Sequence, residues 1–356
     1  MIRALVVEDS IVARELLVYL LNSDPEIEVV GTANNGEEAL TAVADKSPDI
    51  ITMDFHMPKL DGLDATRKIM TTNPTPIVVV SGSSDAALAF KAIEAGALAA
   101  VERPQGIGHP DHEATAAHLL QTVKLMSEVP VVRRWIHREQ PGLPPAPARG
   151  TELGSETGVL PPTTVRVVAI GASTGGPPVL QKMLAALPAD LSASVLIVQH
   201  ISPGFAEGLV EWLRGTSALP IHLAAQGVRA LPGVVYLAPD GVHMGIGNDG
   251  RLSLSTDPPV NGHRPSVAHL FRSVASAYGA QAVGVLLTGM GKDGAEELKR
   301  MKDAGAITIA QDKSSSIVHG MPGEAILLGG ATYVLHADRL ASVLTSLTNR
   351  PERSNS

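Results

Sequence analysis

The chain has 356 residues and a globular composition, with 44% hydrophobic and 18% charged residues, which is enough for about two domains. It has no cysteine, which excludes disulfides, thiolate metal sites and a cysteine nucleophile. The formal net charge of -8 argues against a nucleic-acid partner, and the lack of a signal-peptide pattern or of any apolar run near ~18 residues predicts a cytoplasmic protein without membrane insertion.

The first 125 residues alternate short apolar runs with amphipathic stretches, in the repeating order strand, helix, strand. The predicted strands are 4–9, 26–33, 49–54, 76–82 and 98–102, and the predicted helices between them are 11–23, 36–46, 61–72 and 84–95. This spacing predicts a doubly wound α/β domain with a parallel, flavodoxin-like sheet over residues 1–125. Residues 126–163 contain seven prolines between positions 130 and 162 and no periodicity, which is typical of an extended linker.

The remaining segment, residues 164–350, returns to the same alternation. Its predicted strands are 165–173, 194–200, 282–289 and 306–311, and its predicted helices are 177–187, 204–214, 265–278, 293–303 and 338–347. Residues 234–239 and 243–255 are predicted as antiparallel strands, and the second segment folds about Asn248, Asp249 and Gly250, a hairpin turn signal. We therefore expect a second doubly wound domain, Rossmann-like and mostly parallel, with an antiparallel hairpin.

Carboxylates follow two apolar strands of the first domain. Glu8 and Asp9 come after the first strand and Asp54 ends the third, and the carboxyl ends of parallel strands converge on one crevice. Three carboxylates at one place repel one another unless a cation joins them, and hard oxygen ligands suit Mg2+. Ser81 ends the next strand, where its hydroxyl can bind a phosphoryl oxygen. The alternative is that the acids are solvated strand ends, which describes a single acid better than the whole set.

The segments VVEDS, TMDFHMPKLDG and VVVSG, with the pair Arg103–Pro104, resemble the receiver domains of two-component response regulators. The resemblance covers essentially all of residues 1–125. It implies that Asp54 is the phosphoacceptor and that a histidine kinase is the phosphodonor. It also implies that Mg2+ is held by Glu8, Asp9 and Asp54, with the main-chain carbonyl of His56 as a further ligand.

The resemblance assigns the receiver switch to Ser81 and Arg103. Two positions of this region, Arg103 and Ala100, depart from the family pattern. Arg103 replaces the family's lysine, and its guanidinium stays charged and can fork onto a phosphoryl group but is bulkier than an ammonium. Ala100 replaces the aromatic residue expected a few positions earlier. The family's coupling of a hydroxyl to an aromatic ring therefore lacks its aromatic side chain in this chain.

A second candidate site lies where the strand 165–173 ends, at Gly171-Ala172-Ser173-Thr174-Gly175. These residues fit G-x-S-x-G, in which small neighbours let a nucleophilic serine occupy a tight strand-to-helix turn. The N-terminus of the next helix then directs main-chain N–H groups at a developing oxyanion. The same residues describe a loop that cradles a phosphate equally well, so the motif alone does not decide between the two.

Two further strand ends favour the nucleophile. His200 ends the next strand and Asp293 follows the strand 282–289, so Ser173, His200 and Asp293 each lie at the carboxyl end of a different parallel strand. A hydroxyl nucleophile needs a base, and the base needs an orienting acid. The alternatives are a structural histidine at position 200 and a helix N-cap at position 293. The order Ser, His, Asp also differs from that of the α/β-hydrolase fold.

Six motifs of the second domain are IGASTGGP, VQHISPGF, VYLAPDGVHM, GHRPSV, LLTGMGKDGA and AQDKSSSIVHGMPGEAI. Their order and spacing resemble those of the chemotaxis protein-glutamate methylesterases of the CheB type. The resemblance implies that Ser173 is the nucleophile, His200 the general base and acid, and Asp293 the orienting carboxylate. It makes Thr174 and Met290 the candidate main-chain oxyanion donors, and it implies an esterase step without a cofactor.

The implied reaction converts a glutamate methyl ester on the cytoplasmic helices of a chemoreceptor into glutamate and methanol, and some relatives also deamidate glutamine. The implied phosphodonor is a histidine kinase of the CheA type. Arg264, in GHRPSV, is a candidate contact to acidic receptor helices, although a structural salt bridge explains it equally well. Two other classes remain open at this point: a receiver-linked nucleotide- or phosphate-binding regulator without esterase activity, and a DNA-binding response regulator, for which the sequence offers no basic recognition helix.

Overall fold

The structure is a computed structural model that describes residues 1–82, 86–129, 131 and 164–349. Most of the predicted linker over 126–163 lies outside the described residues, and the predicted helix over 84–95 is described from Ala86 onward. Within the described ranges, no helix is both long and apolar enough to cross a membrane.

The N-terminal domain is built on a five-stranded parallel sheet in the order β2-β1-β3-β4-β5. Its strands are β1 (Ile2–Val7), β2 (Ile27–Ala33), β3 (Ile50–Met53), β4 (Ile77–Ser81) and β5 (Ala99–Glu102). Its helices are α1 (Ile11–Ser23), α2 (Gly36–Lys46), α3 (Gly62–Thr72), α4 (Ala86–Ala95) and α5 (His112–Ser127). This is the predicted flavodoxin-like arrangement, to which the structure adds α5.

Polar side chains fix where three of these helices begin. Ser10, Asn35 and Asp61 accept hydrogen bonds from first-turn N–H groups of α1, α2 and α3. At the start of α3, a Cβ on Gly62 would clash with the main-chain oxygen of Asp54. Glycine at position 62 therefore lets α3 approach the strand end that carries Asp54.

The C-terminal domain contains a seven-stranded, entirely parallel sheet in the order β14-β13-β12-β6-β7-β9-β8. Its strands are β6 (Val167–Ala172), β7 (Ser194–Gln199), β8 (Ile221–Leu223), β9 (Val235–Leu237), β12 (Ala282–Leu286), β13 (Ile307–Gln311) and β14 (Tyr333–Leu335). Its helices are α6 (Gly176–Ala185), α7 (Ala206–Arg214), α8 (Val267–Tyr278), α9 (Ala295–Asp303), α10 (Met321–Leu327) and α11 (Leu340–Thr348). The long central strands are buried throughout, as expected for aliphatic runs covered by helices on both faces.

The hairpin prediction is correct in one half and wrong in the other. β10 (His243–Ile246) and β11 (Leu252–Ser255) form a separate antiparallel pair around the predicted turn. Residues 235–237, by contrast, pair parallel with both β7 and β8 inside the main sheet. Their three residues are all buried, which suits a central parallel strand, and a segment this short has no alternation that distinguishes the two kinds of pairing.

The two domains pack against each other over the carboxyl edge of the second sheet. Phe90 of α4 is fully buried and stacks on Trp212 of α7, with ring centroids 5.4 Å apart. At the end of β5, the N–H of Glu102 donates to the Ser202 hydroxyl over 3.4 Å. Between the domains lies a cleft of about 770 Å³ that is lined by β5 and α5 on one side and by Ser173 and His200 on the other.

Candidate active site

Ser173 follows β6 directly and precedes the first turn of α6. Its main-chain N–H donates to the carbonyl of Thr288, which follows β12, and its side chain is mostly buried, with 9% of the residue exposed. A Cβ on Gly289 would lie 2.6 Å from the Ser173 Cβ, so a glycine is required beside the serine. Gly175 has a φ of 77°, in the left-handed region, and caps α6. Gly175 inside the G-x-S-x-G pattern and Gly289 outside it thus give the turn at Ser173 the small neighbours that it needs.

Asp293 is the buried acceptor at the centre of a hydrogen-bond network after β12. Its carboxylate accepts five hydrogen bonds of 2.7 to 3.2 Å, from His200 Nε2, Asn261 Nδ2, Ser266 Oγ and the N–H groups of Val267 and Ala268. Burial alone raises the pKa of this carboxyl, but the hydrogen bonds from His200, Asn261 and Ser266 hold the pKa well below its usual value. Asp293 is therefore ionised.

The main-chain bonds to Asp293 come from a helix other than its own. The alternative of an N-cap for α9 does not hold, because Gly294 caps that helix. Asp293 instead accepts from the first turn of α8, which is a different helix. The N-terminus of α8 adds its favourable dipole to the carboxylate. The same side chain therefore fixes the position of α8 and faces His200.

His200 links Asp293 to the cleft. Its Nε2 lies 2.9 Å from the Asp293 carboxylate, and an ionised carboxylate only accepts, so Nε2 carries the proton. The other nitrogen, Nδ1, is buried and has no hydrogen-bond partner among the described residues. Nδ1 is thus the nitrogen that is left to act on Ser173. The Ser173 hydroxyl and the ring line the same cleft without a hydrogen bond between them in the described part of the chain, which is common in substrate-free sites.

His263 is a second histidine of the site, and the sequence alone does not distinguish it from the other histidines of the domain. Its ring stacks on the His200 ring with centroids 3.9 Å apart and an interplanar angle of 7°. Burial, together with the nearby His200, lowers the pKa of His263 to about 4. His263 is therefore neutral at physiological pH and does not oppose a positive charge on His200. The rings of His243 and His319 bond to the main-chain carbonyls of Pro258 and Gln311, and His269 stacks on His243.

Gln199 is a buried residue that the sequence reasoning missed. Its side-chain amide donates to the main-chain carbonyls of Ser173 and His200, each over 2.8 Å. It ties the turn that carries the serine to the strand end that carries the histidine. The only sequence signal is a polar residue at the end of an otherwise apolar strand, directly before His200. Asn261 and Ser266 were missed too, because their contact with Asp293 joins segments about thirty residues apart.

The remaining candidates of this domain have separate positions. Thr174 and Met290 line the cleft beside Ser173, as oxyanion donors must. Arg264 is held by its own hairpin region, because its guanidinium donates to the carbonyls of Thr256 and Asp257 at the protein surface. It makes no salt bridge in the part of the chain that the structure describes.

The structure brings the three candidate carboxylates of the first domain together. Glu8, Asp9 and Asp54 each offer a carboxylate oxygen, and these three atoms lie within 4.8 Å of one another. Burial and the neighbouring Asp54 raise the pKa of Glu8 to about 7, and burial also raises the pKa of Asp54. Three carboxylates this close together repel one another, and a divalent cation would relieve that repulsion. The hard oxygen donors fit Mg2+.

Arg103 reaches into this cluster from the loop after β5. Its Nη2 lies 2.9 Å from Glu8 Oε2 and 2.9 Å from Asp54 Oδ1. Ser81, at the end of β4, is fully buried, and its carbonyl accepts from the N–H of Arg103. His56 lies in the loop after Asp54. Ala100 lines the cleft between the domains, so the position usually held by an aromatic residue faces the second domain.

Comparison with known proteins agrees with both halves of the chain. The family model of the CheB methylesterase matches residues 168–344, and that of the response regulator receiver domain matches residues 4–109. A protein-glutamate methylesterase/protein-glutamine glutaminase of Nitrosospira multiformis is 55% identical, over 98% of this chain and 97% of its own length. A second relative, protein-glutamate methylesterase/protein-glutamine glutaminase 4 of Geobacter metallireducens, is also 55% identical, over 98% of this chain and 99% of its own length.

A solved structure supports the second half separately. The CheB methylesterase catalytic domain of Thermotoga maritima is 37% identical, with a TM-score of 0.50, and covers 52% of this chain and all of its own length. Near-complete coverage of the curated relatives, together with both domain matches, establishes the assignment. The chain belongs to the protein-glutamate methylesterase/protein-glutamine glutaminase family, with a response regulator receiver domain ahead of a CheB methylesterase domain.

Proposed function

We propose that this chain is a phosphorylation-regulated serine hydrolase that removes methyl esters from glutamate residues of chemoreceptors. The observation that carries the proposal is the buried pair of His200 and ionised Asp293, 2.9 Å apart, at the sheet edge where Ser173 ends the neighbouring strand. A base that is oriented by an acid activates a serine hydroxyl at neutral pH. A phosphate-binding loop has no need of that pair.

The proposed reaction is acyl transfer through Ser173. Its hydroxyl attacks the ester carbonyl while His200 Nδ1 takes the proton, and Asp293 stabilises the imidazolium through the Nε2 proton. Main-chain N–H groups at Thr174 and Met290 are proposed to bind the oxyanion. His200 then protonates the departing methoxy oxygen, methanol leaves, and a water molecule activated by the same nitrogen releases the glutamate. No step needs a metal or another cofactor.

The same residues are proposed to deamidate receptor glutamine. The attack on the amide carbonyl is identical, but the leaving group is ammonia. Because an amide nitrogen leaves only after protonation, this reaction depends more on His200 as an acid than ester hydrolysis does. Deamidation is therefore expected to be the slower of the two activities.

Regulation is proposed to run through Asp54. The receiver's β5 and α5 line the cleft in front of Ser173, and the Phe90–Trp212 stack and the bond from Glu102 to Ser202 hold the domains together. Phosphorylation of Asp54 would weaken this packing and admit the substrate. Glu8, Asp9 and Asp54 would hold Mg2+, which when bound neutralises the charge of an incoming phosphoryl group. Ser81 and Arg103 are the proposed phosphoryl contacts.

The partners and location follow from this scheme. We propose methylated cytoplasmic helices of a chemoreceptor as substrate, with Arg264 as a candidate contact to their acidic residues, and a CheA-type histidine kinase as phosphodonor. Both partners imply the cytoplasm. The proposed division is a receiver at 1–125, a linker at 126–163 and a methylesterase domain at 164–350.

The test of the esterase assignment is methanol release from membranes that contain methylated receptors. The full chain is expected to release methanol, whereas Ser173→Ala is expected to reduce release to the rate without enzyme. Ser192→Ala is a matched control, because this serine lies on the far side of the domain and bonds to Thr348. Absence of release by the wild-type chain, with or without a phosphodonor, would overturn the assignment.

Regulation is tested separately with acetyl phosphate as a small phosphodonor. The wild-type rate should rise when acetyl phosphate and Mg2+ are added, and Asp54→Asn should keep its basal rate with no rise. Equal rates with and without the phosphodonor in the wild type would refute the gating scheme and leave the esterase assignment intact.

A further inference from the structure

Arg103 occupies an unusual position for a positive side chain in a receiver's acidic crevice. A single nitrogen, Nη2, lies 2.9 Å from a carboxylate oxygen of Glu8 and 2.9 Å from one of Asp54. These acids belong to the cluster whose three oxygen atoms lie within 4.8 Å of one another. One guanidinium nitrogen therefore lies between two of the three groups that form the candidate metal site.

We propose that the Arg103 guanidinium and Mg2+ compete for the same carboxylates, so that the cation binds only when Arg103 withdraws. The inference rests on the proposed function, in which these acids hold Mg2+. An ion in contact with oxygen atoms of both acids lies about 2.0–2.1 Å from each. An ion that used Glu8 Oε2 and Asp54 Oδ1, the two atoms that Nη2 contacts, would be brought against the positively charged guanidinium. A guanidinium remains protonated under all relevant conditions, so it cannot avoid the conflict by losing its charge.

The contacts of Arg103 show that it is an imperfect substitute for a metal ion. Its Nε is buried and has no hydrogen-bond partner among the described residues. Glu8 Oε2 forms an ion pair with Nη2 but accepts no hydrogen bond within the described ranges. Asp9 makes no ion pair with Arg103 in the described structure. The guanidinium therefore neutralises the crevice only in part, and a divalent cation that displaces it can bind more of the carboxylate oxygens.

The main chain at Arg103 is anchored. Its N–H donates to the Ser81 carbonyl at 2.8 Å, so withdrawal of the side chain does not require the strand end to move. The preceding residue, Glu102, contacts Ser202, which is two residues after His200. The exchange of Arg103 for Mg2+ thus takes place beside the main-chain contact between receiver and catalytic domain, and it does not require the aromatic residue that Ala100 replaces.

The proposal is tested by measuring the Mg2+ dissociation constant of the full chain by calorimetry at constant ionic strength. Arg103→Met keeps an unbranched apolar stem and removes the guanidinium. Arg14→Met is the matched control, because Arg14 Nη1 donates to the main-chain carbonyls of Glu8 and Asp9 and does not lie between the carboxylates. Asp54→Asn identifies heat that arises at this site, and circular dichroism confirms that each variant is folded.

Arg103→Met is expected to bind Mg2+ at least about tenfold more tightly than the wild type, the effect of one nearby charge on a carboxylate site. Arg14→Met is expected to change the constant less than about threefold, and Arg103→Lys to lie between the wild type and Arg103→Met. If the wild type and Arg103→Met bind Mg2+ equally tightly and Asp54→Asn binds it more weakly, the competition between Arg103 and Mg2+ is refuted but the metal site stands. Equal tightening in Arg14→Met also overturns it. If no variant binds Mg2+, the metal assignment fails as well.

Discussion

Gln199 offers the sharpest test of how the site is held in place. Its amide donates two hydrogen bonds of 2.8 Å, to the carbonyls of Ser173 and His200, from a nearly fully buried position. Gln199→Leu keeps the approximate volume and removes both donors. At about 0.5–1.5 kcal/mol for each net hydrogen bond, the change costs roughly 1–3 kcal/mol of unfolding free energy. Its Oε1 has no partner among the described residues, so the true cost should fall in the lower half of that range.

The effect on activity should exceed the effect on stability. Without the amide, the bond from the His200 N–H to the Ala172 carbonyl still joins the two strand ends, but the carbonyls of Ser173 and His200 lose their shared donor, and a displacement of about 1 Å costs about 10²-fold in rate. We expect kcat for methanol release to fall about 10–100-fold, with a smaller change in KM. The assay is methanol release with acetyl phosphate present, and stability is measured by urea unfolding.

Thr308→Val is the control for Gln199→Leu. Thr308 is fully buried in β13, and its hydroxyl donates to the Gly330 carbonyl at 2.6 Å, away from the cleft. It should lose a similar unfolding free energy and keep the wild-type kcat. A wild-type kcat in Gln199→Leu, or an equal loss of kcat in Thr308→Val, would refute the positioning role.

Three further predictions concern His263, Asp293 and the interface between the domains. Because the folded-state pKa of His263 is about 4 against an ordinary 6.5, its stabilising contribution is complete above pH 6.5 and is lost as the pH falls towards 4. Urea unfolding should show up to roughly 3 kcal/mol of this loss in the wild type and in the control His222→Gln, which changes an exposed histidine. His263→Gln should not show the loss. An unchanged pH dependence of the unfolding free energy in His263→Gln contradicts the lowered pKa of His263. Asp293→Asn should lower kcat about 10³–10⁴-fold while the circular dichroism spectrum stays native, and retention of more than a tenth of the activity would exclude an orienting role. Phe90→Ala removes the stack on Trp212, which contributes about 0.5–1.5 kcal/mol beyond its buried area. The basal rate of methanol release should therefore rise several-fold towards the phosphodonor-stimulated rate. An unchanged basal rate would argue against gating by the contact between α4 and α7.

The parallel sheets were predictable because their strands are long apolar runs that end in functional residues. Asp54, Ser173 and His200 each follow such a run, and a parallel sheet brings its carboxyl ends to one edge whatever the loops do. The same reasoning failed for residues 235–237, where three buried residues carry no signal of strand direction.

The details of the site depend on contacts that sequence periodicity does not encode. Asn261 and Ser266 reach Asp293 from a loop that has no repeating pattern, and the stacking of His263 on His200 needs the folded loop. The sequence showed that Arg103 is charged and forked. Only the structure shows that one of its nitrogens contacts both Glu8 and Asp54.

The central claim is that Ser173 is the nucleophile of a glutamyl ester hydrolase. The most direct measurement is rapid acid quenching of the wild-type chain during turnover of methylated receptor, followed by proteolysis and mass spectrometry. We predict a receptor glutamyl group joined as an ester to Ser173, absent from Ser173→Ala samples, which should also release no methanol above background. A glutamyl adduct on a different residue, or methanol release at the wild-type rate by Ser173→Ala, would contradict the account.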